Sequence, residues 1–303
     1  MPPGWHEAAD RADAAIRPVA ADLIALRGLA LGRPLHPGTG TLSALPGSHI
    51  GLQRGRGLEF AELRAYQPGD DVRSIDWRRT ARHGQPCTKV YQSERERTLR
   101  LLVDLGASMR FGTRQQFKSV AAARAATLLA WQAEAAGDRV AGLIRHDAWV
   151  DLPAQSRRTG ILALIRALSA VPQGVAQEFT AGLQRLTQCV RSSDRVVLLS
   201  DFRELDATGE ALLQELGRRA DCLWVAVHDP FEAEPPPPGV YALTDGQQTV
   251  TVDFGDAAVR AQHVAAFAAR NTRLADLARR ARARLTRLST TTAPAAFLAT
   301  VGH

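Results

Sequence analysis

Two aspartates and one serine carry the most suggestive chemistry in this sequence. Asp104 closes the apolar run Leu99-Arg100-Leu101-Leu102-Val103, and Asp201 follows the run Arg195-Val196-Val197-Leu198-Leu199-Ser200. Short, nearly continuous apolar runs of this kind are strands of a parallel sheet buried on both faces. In an open doubly wound sheet, ligands bind beyond the carboxyl ends of the strands where the strand order reverses, and the first and fourth strands of the 3-2-1-4-5-6 order flank that point. Here both of those strands end in an acid. Two carboxylates brought together repel unless a cation or an arginine lies between them. Ser108, on the loop Asp104-Leu105-Gly106-Ala107-Ser108, adds a hydroxyl. Carboxylates with hydroxyls are hard oxygen donors, suited to Mg²⁺, Mn²⁺ or Ca²⁺ rather than zinc. The same residues have a second reading without any ion, in which acids at strand ends accept backbone N–H groups of the loops that follow.

The elements that must position these groups follow from the pattern of apolar residues, glycines and prolines. Residues 1–32 read as helix broken near Pro18, and the Gly- and Pro-rich stretch 33–58 as a series of turns. From residue 97 onward, strands alternate with helices. Strands are expected at 99–103, 140–144, 148–152, 195–200 and 222–227, and helices at about 114–136, 158–169, 180–190 and 208–219. Pro235 to Pro238 form a stiff connector, and Asp245-Gly246 marks a hairpin. A last long helix spans about 256–287, with Arg270, Arg273, Arg279, Arg280, Arg282, Arg284 and Arg287 on a solvated face and Leu274, Leu277, Leu285 and Leu288 against the sheet. Alternating strands and helices of ten or more residues give α/β architecture with a doubly wound, mostly parallel sheet over residues 98–303. Residues 1–97 form a smaller N-terminal segment, helical at first and then loop- and β-rich.

Composition removes several function classes. The chain has 303 residues and a formal charge of +7, and only two of its 38 basic residues are lysines, Lys89 and Lys118. So strong an arginine bias, beside abundant alanine, weakens the basic charge as an argument for nucleic acid. Three widely spaced cysteines make neither a disulfide framework nor a zinc site and fit a reducing compartment. With no apolar run of about 20 residues, no bilayer span is expected, and a cytoplasmic location follows. The phosphate loop G-x-x-x-x-G-K-[ST], the nucleophile elbow G-x-S-x-G and paired metal-binding histidines are all absent.

A second charged cluster lies upstream, comprising Glu59, Glu62, Arg64, Asp70, Asp71, Arg73, Asp76, Arg78, Arg79 and Arg82 around Trp77. Interleaved signs satisfy one another better than they attract a partner, so an ion network pinning this segment to the α/β domain is expected, with Trp77 as a packed anchor. The competing reading makes Arg64, Asp70, Asp71, Arg73, Asp76, Trp77 and Arg82 a partner-docking surface.

The run Gly55-Arg56-Gly57-Leu58-Glu59-Phe60, then Arg64-Ala65-Tyr66-Gln67-Pro68-Gly69-Asp70-Asp71-Val72-Arg73-Ser74-Ile75-Asp76-Trp77, then Ala81-Arg82, resembles the hallmark segment of the bacterial family called domain of unknown function 58. The Asp104-x-Gly106-x-Ser108 loop resembles a degraded D-x-S-x-S loop of von Willebrand factor A domains. Leu198-Leu199-Ser200-Asp201-Phe202 resembles the strand that supplies their distal aspartate. The resemblance implies a von Willebrand factor A-like fold and a non-enzymatic adaptor acting with a MoxR-type AAA+ ATPase. It also implies a metal-ion-dependent adhesion site holding Mg²⁺ through Asp104, Ser108, Asp201 and a threonine. Thr180 matches that threonine by its place before the fourth strand, and Thr159 competes with it. Glycine at 106 replaces the first serine, removing one ligand that a water would have to supply. Two other functions stay open: Mg²⁺-dependent phosphoryl transfer, which Gly106 disfavours because a second acid is wanted there, and nucleic-acid binding by the arginine-rich surface.

Overall fold

The computed structural model describes residues 13–31, 58–66, 75–93, 97–171, 175–244 and 249–301. It divides into two compact units, Met1–Thr39 with Arg97–His303, and Gly40–Glu96. The chain is helical at residues 13–16 and then forms α1 (Ala20–Ala25) and α2 (Arg27–Ala30). In the smaller unit, β1 (Leu58–Ala65) pairs antiparallel with β2 (Cys87–Ser93), and helix α3 (Trp77–His83) lies between them in sequence. The turns expected over 33–57 lie outside the described residues.

The larger unit is built on six strands: β3 (Thr98–Asp104), β4 (Arg139–Arg145), β5 (Trp149–Gln155), β6 (Arg195–Ser200), β7 (Asp221–His228) and β10 (Arg284–Ser289). Their order is β10-β7-β6-β3-β4-β5, with β5 antiparallel to β4 and the other pairs parallel. Counted within this sheet, that is the expected 3-2-1-4-5-6 order. The central strands β3 and β6 are adjacent, and their carboxyl ends flank the switch point. Separately, β8 (Val240–Thr244) pairs antiparallel with β9 (Thr249–Asp253), as a hairpin requires, while Asp245-Gly246 itself lies outside the described residues.

Both faces of the sheet are covered, which is why its strands read as unbroken apolar runs. On one face lie α4 (Lys118–Ala135), α5 (Arg157–Leu168), α10 (Pro294–Val301), α1 and α2, packed on Leu99, Leu101 and Val103. On the other lie α6 (Phe179–Cys189), α7 (Ala207–Arg219) and α9 (Ala257–Arg280), packed on Leu102, Leu198 and Trp224. Helix α4 is almost wholly buried. Its alanines let its backbone settle close against the strands. Helix α8 (Pro230–Ala233) is a single turn after β7.

Three expectations are corrected. The division at residue 97 does not hold for the N-terminus, because Leu23, Leu26 and Ala30 of α1 and its neighbours belong to the larger unit's core. Helix α4 starts at Lys118 rather than near 114, because Asp229 captures both the backbone N–H (3.0 Å) and the hydroxyl (2.5 Å) of Thr113 and holds that stretch in a loop. The last long helix ends at Arg280 rather than 287. Arg282 takes a left-handed turn at φ 55, and Arg284–Ser289 become edge strand β10, with Leu288 buried beside β7. Gly217 permits this ending, since a Cβ there would stand 1.8 Å from the Ala281 carbonyl oxygen.

Candidate functional site

Four strand ends meet on one rim of the sheet. Asp104 ends β3, Arg145 ends β4 directly beside it in register, Ser200 ends β6 with Asp201 next after it, and Asp229 follows β7. The two acids singled out from the sequence do converge. Asp104 and Asp201 are only 2% and 8% exposed, and Asp201 is close enough to oppose ionisation of Asp104.

Each carboxylate is held by its own set of partners. Asp104 accepts hydrogen bonds from the Ser200 hydroxyl (2.7 Å) and the Gly106 backbone N–H (3.0 Å), and it stands 3.5 Å from a guanidinium nitrogen of Arg145. Burial, with a smaller push from Asp201, raises its pKa to about 6 against the opposing pull of Arg145. Asp201 accepts from the Ser108 hydroxyl at 3.3 Å, from the Arg203 backbone N–H at 3.1 Å and from the ammonium of Lys118 at 2.7 Å. The turn that aims Asp201 inward passes through Phe202 at φ 52. A left-handed non-glycine residue costs of order 1–3 kcal/mol and persists only where its surroundings fix it. Here the Ser200 hydroxyl accepts the Phe202 N–H, and the ring packs between Phe179 and Trp224.

Lys118 is 0% exposed and was not singled out from the sequence. Its ammonium bridges Asp201 and Glu232 (3.0 Å), and its charge lies 5.8 Å from the Phe111 ring centre. Glu232 in turn caps α8, accepting the Asp229 N–H with its other oxygen, and is also approached by Arg203 at 3.1 Å. Arg145 reaches from Asp104 outward to Glu204, 2.5 Å away. The rim is therefore a chain of ion pairs, buried at Asp104, Lys118 and Asp201 and exposed at Arg203 and Glu204. Lys118, Arg145, Ser200, Arg203, Glu204 and Glu232 complete the site that sequence reasoning had sketched with Asp104, Ser108 and Asp201.

Thr180 does not join them. Its hydroxyl donates to Asp206 at 2.9 Å, and Asp206 also caps α7 by accepting the Gly209 N–H. Nor does the donor set fit Mg²⁺. The serine hydroxyl missing at Gly106 leaves a space that the Arg145 guanidinium overlies, since a Cβ there would meet its Cζ at 3.3 Å. One oxygen of Asp201, Oδ2, already accepts from the Lys118 ammonium, and the other accepts from the Ser108 hydroxyl and the Arg203 N–H. Among the described residues, no group of three or more His, Cys, Asp or Glu side chains is arranged to hold a metal ion.

The upstream cluster is divided. Asp70, Asp71 and Arg73 lie outside the described residues, as do the side-chain surroundings of Arg64. Asp76 is the N-cap of α3, accepting the Arg78 and Arg79 backbone N–H groups at 3.1 and 3.2 Å. Trp77 is not the packed anchor expected. It is 66% exposed, on a helix whose Arg78, Arg79 and Arg82 are exposed as well. Of the described side chains of this helix only Thr80 is even partly buried, so there is no apolar side for Trp77 to join. Also among the described residues, no helix is long and apolar enough to cross a membrane.

The uncharacterized protein Rv1480 of Mycobacterium tuberculosis and its counterpart Mb1516 of Mycobacterium bovis are 33% identical to this chain over 240 residues, 78% of this chain and 74% of theirs. Among solved structures, the conserved hypothetical protein BatB of Bacteroides thetaiotaomicron is similar over 68% of this chain and 95% of its own, with 14% identity and a TM-score of 0.43. A von Willebrand factor type A protein of Catenulispora acidiphila is similar over 71% of this chain and 43% of its own, with 13% identity and a TM-score of 0.41. The family model for the protein of unknown function DUF58 matches residues 62–273, most of both units, and the chain belongs to that family.

Proposed function

We propose that this chain is a non-enzymatic interaction module that docks a partner protein on the rim of its sheet. The observation that carries this reading is the state of the rim carboxylates. Asp104 and Asp201, the groups a phosphoryl-transfer enzyme would need free as nucleophile or metal ligand, are buried and engaged by Arg145 and Lys118. What the rim offers outward is a set of charged ends, Arg203 and Glu204, held in place by the buried pairs beneath them. Pre-oriented charges at a protein surface favour association and select among partners more than they add raw affinity. The nature of the partner, a MoxR-type AAA+ ATPase, rests on the family resemblance.

The test is co-purification of the chain with a MoxR-type ATPase encoded in the same genome, with ATP and with ADP, at low and at raised salt. Retention is expected with at least one nucleotide, weakened by salt and by the paired charge reversal Arg203→Glu with Glu204→Arg. Failure to retain the ATPase with either nucleotide would refute the reading.

A further inference from the structure

We infer that the rim carries its own resident cations, the Lys118 ammonium between Asp201 and Glu232 and the Arg145 guanidinium against Asp104, and that it works without a metal. Three observations converge on it. First, Nζ lies 2.7 Å from Asp201 Oδ2 and 3.0 Å from Glu232 Oε1, with the whole side chain sealed from solvent. A buried charge is tolerated only when it is paired and hydrogen-bonded, and this one has both kinds of support.

Second, apart from those two acids and the Phe111 ring, the position is costly for a cation. Lys118 is the first residue of α4, at the positive end of the helix dipole, where a basic side chain is disfavoured. Where nearly every other basic residue is arginine, this one is lysine. An ammonium is a compact point charge with three donors, whereas a guanidinium is a wide planar fork. The narrow space between Asp201 and Glu232 selects the former.

Third, the other half of an ion's work is also done by a side chain. Asp104 faces the Arg145 guanidinium, which occupies the room freed by glycine at 106. Restoring a serine there would push its Cβ to 3.1 Å from Asp104 Oδ1 and 3.3 Å from Arg145 Cζ. Glycine at 106 and the Arg145 guanidinium above it are thus compatible parts of one arrangement. The inference makes the proposed docking surface metal-free, yet it stands on geometry alone. Its test uses the purified chain without a partner, so a failed docking experiment leaves it intact.

The full chain is titrated with MgCl₂ and with MnCl₂ by calorimetry, and its thermal unfolding is compared in either salt and in EDTA. The expected result for the natural sequence is no saturable heat and the same midpoint in all three. Lys118→Met keeps the stem and removes the charge, and it should lower the midpoint by on the order of 10 °C. Lys118→Met combined with Asp201→Asn also removes the charge of the more buried partner, leaving Glu232 to Arg203, and should recover part of that loss. The combined variant also keeps the comparison possible if the single one does not fold. Saturable Mg²⁺ or Mn²⁺ binding by the natural sequence that vanishes in Asp201→Asn would overturn the inference, as would a Lys118→Met midpoint equal to that of the natural chain.

Discussion

Asp104→Asn isolates the electrostatic cost of burying an acid at the switch point. The substitution keeps the shape of the side chain and an oxygen for the Ser200 hydroxyl, and it removes the ability to ionise. Burial first, and Asp201 second among the forces acting in the same direction, raise the folded-state pKa from 3.8 to about 6, while Arg145 pulls it down without prevailing. Between those two values the folded chain retains a proton that the unfolded chain has released. The carboxyl therefore contributes its stability fully below about pH 4. That contribution is lost as pH rises through about 6, where the buried group must ionise. At 1.36 kcal/mol per pH unit, the difference between 3.8 and about 6 corresponds to about 3 kcal/mol. Asparagine does not titrate, so the stability of Asp104→Asn relative to the natural chain should climb by about 2 kcal/mol between pH 4 and pH 7.5. Urea unfolding of both proteins at a series of pH values measures that difference directly. Contributions from all other acids cancel to the extent that they are shared. A difference that is flat across this range, or that favours the natural chain as pH rises, would refute the account of Asp104 as a carboxyl held against its preference for water.

Two further outcomes follow from packing. Gly217→Ala would drive a methyl group to 1.8 Å from the Ala281 carbonyl oxygen, a backbone atom that cannot swing aside. Overpacking of that kind costs about 1–3 kcal/mol or more, so a lower urea midpoint is expected, with an unchanged value ruling out the close approach of α7 to the end of α9. The three cysteines should also separate by reactivity. Cys189 is exposed and Cys87 partly so, whereas Cys222 is buried in β7 with its thiol pushed up to about 12 by burial and by Asp221. A thiol reagent at neutral pH should label two cysteines in the native chain and the third only after denaturation. Rapid native labelling of Cys222 would contradict the burial of that strand.

The sheet was legible because its strands are covered on both faces. Burial on both sides leaves no alternation to misread, and the runs at Leu99–Val103 and Arg195–Ser200 announce themselves as strands with the acids at their ends. What failed was the boundary between α9 and β10. Leu274, Leu277, Leu285 and Leu288 continue at helical spacing through a stretch with no glycine or proline to break it. The break is made instead by Arg282 in a left-handed conformation, for which an arginine gives no local warning. The strand then forms because β7 still has an open edge, a fact of the assembled sheet and not of the segment.

The rim was half legible for a related reason. Asp104, Ser108 and Asp201 could be placed together because each belongs to a loop at a strand end, and topology alone brings those ends together. Their counter-charges come from elsewhere. Lys118 stands 83 positions from Asp201 and 114 from Glu232, and no periodicity connects them. Yet two signals were present in the residues themselves. A lysine in a chain whose other cations are nearly all arginine marks a place where the shape of the charge matters. A cation opening a long alanine-rich helix violates the dipole preference and so calls for an acid nearby. A strand-end acid lacking a visible counter-ion, Asp201, and one basic residue in a position unfavourable for it are complementary anomalies. Each alone reads as noise, and together they specify a pair, because the repulsion that one leaves unexplained is the attraction that the other requires.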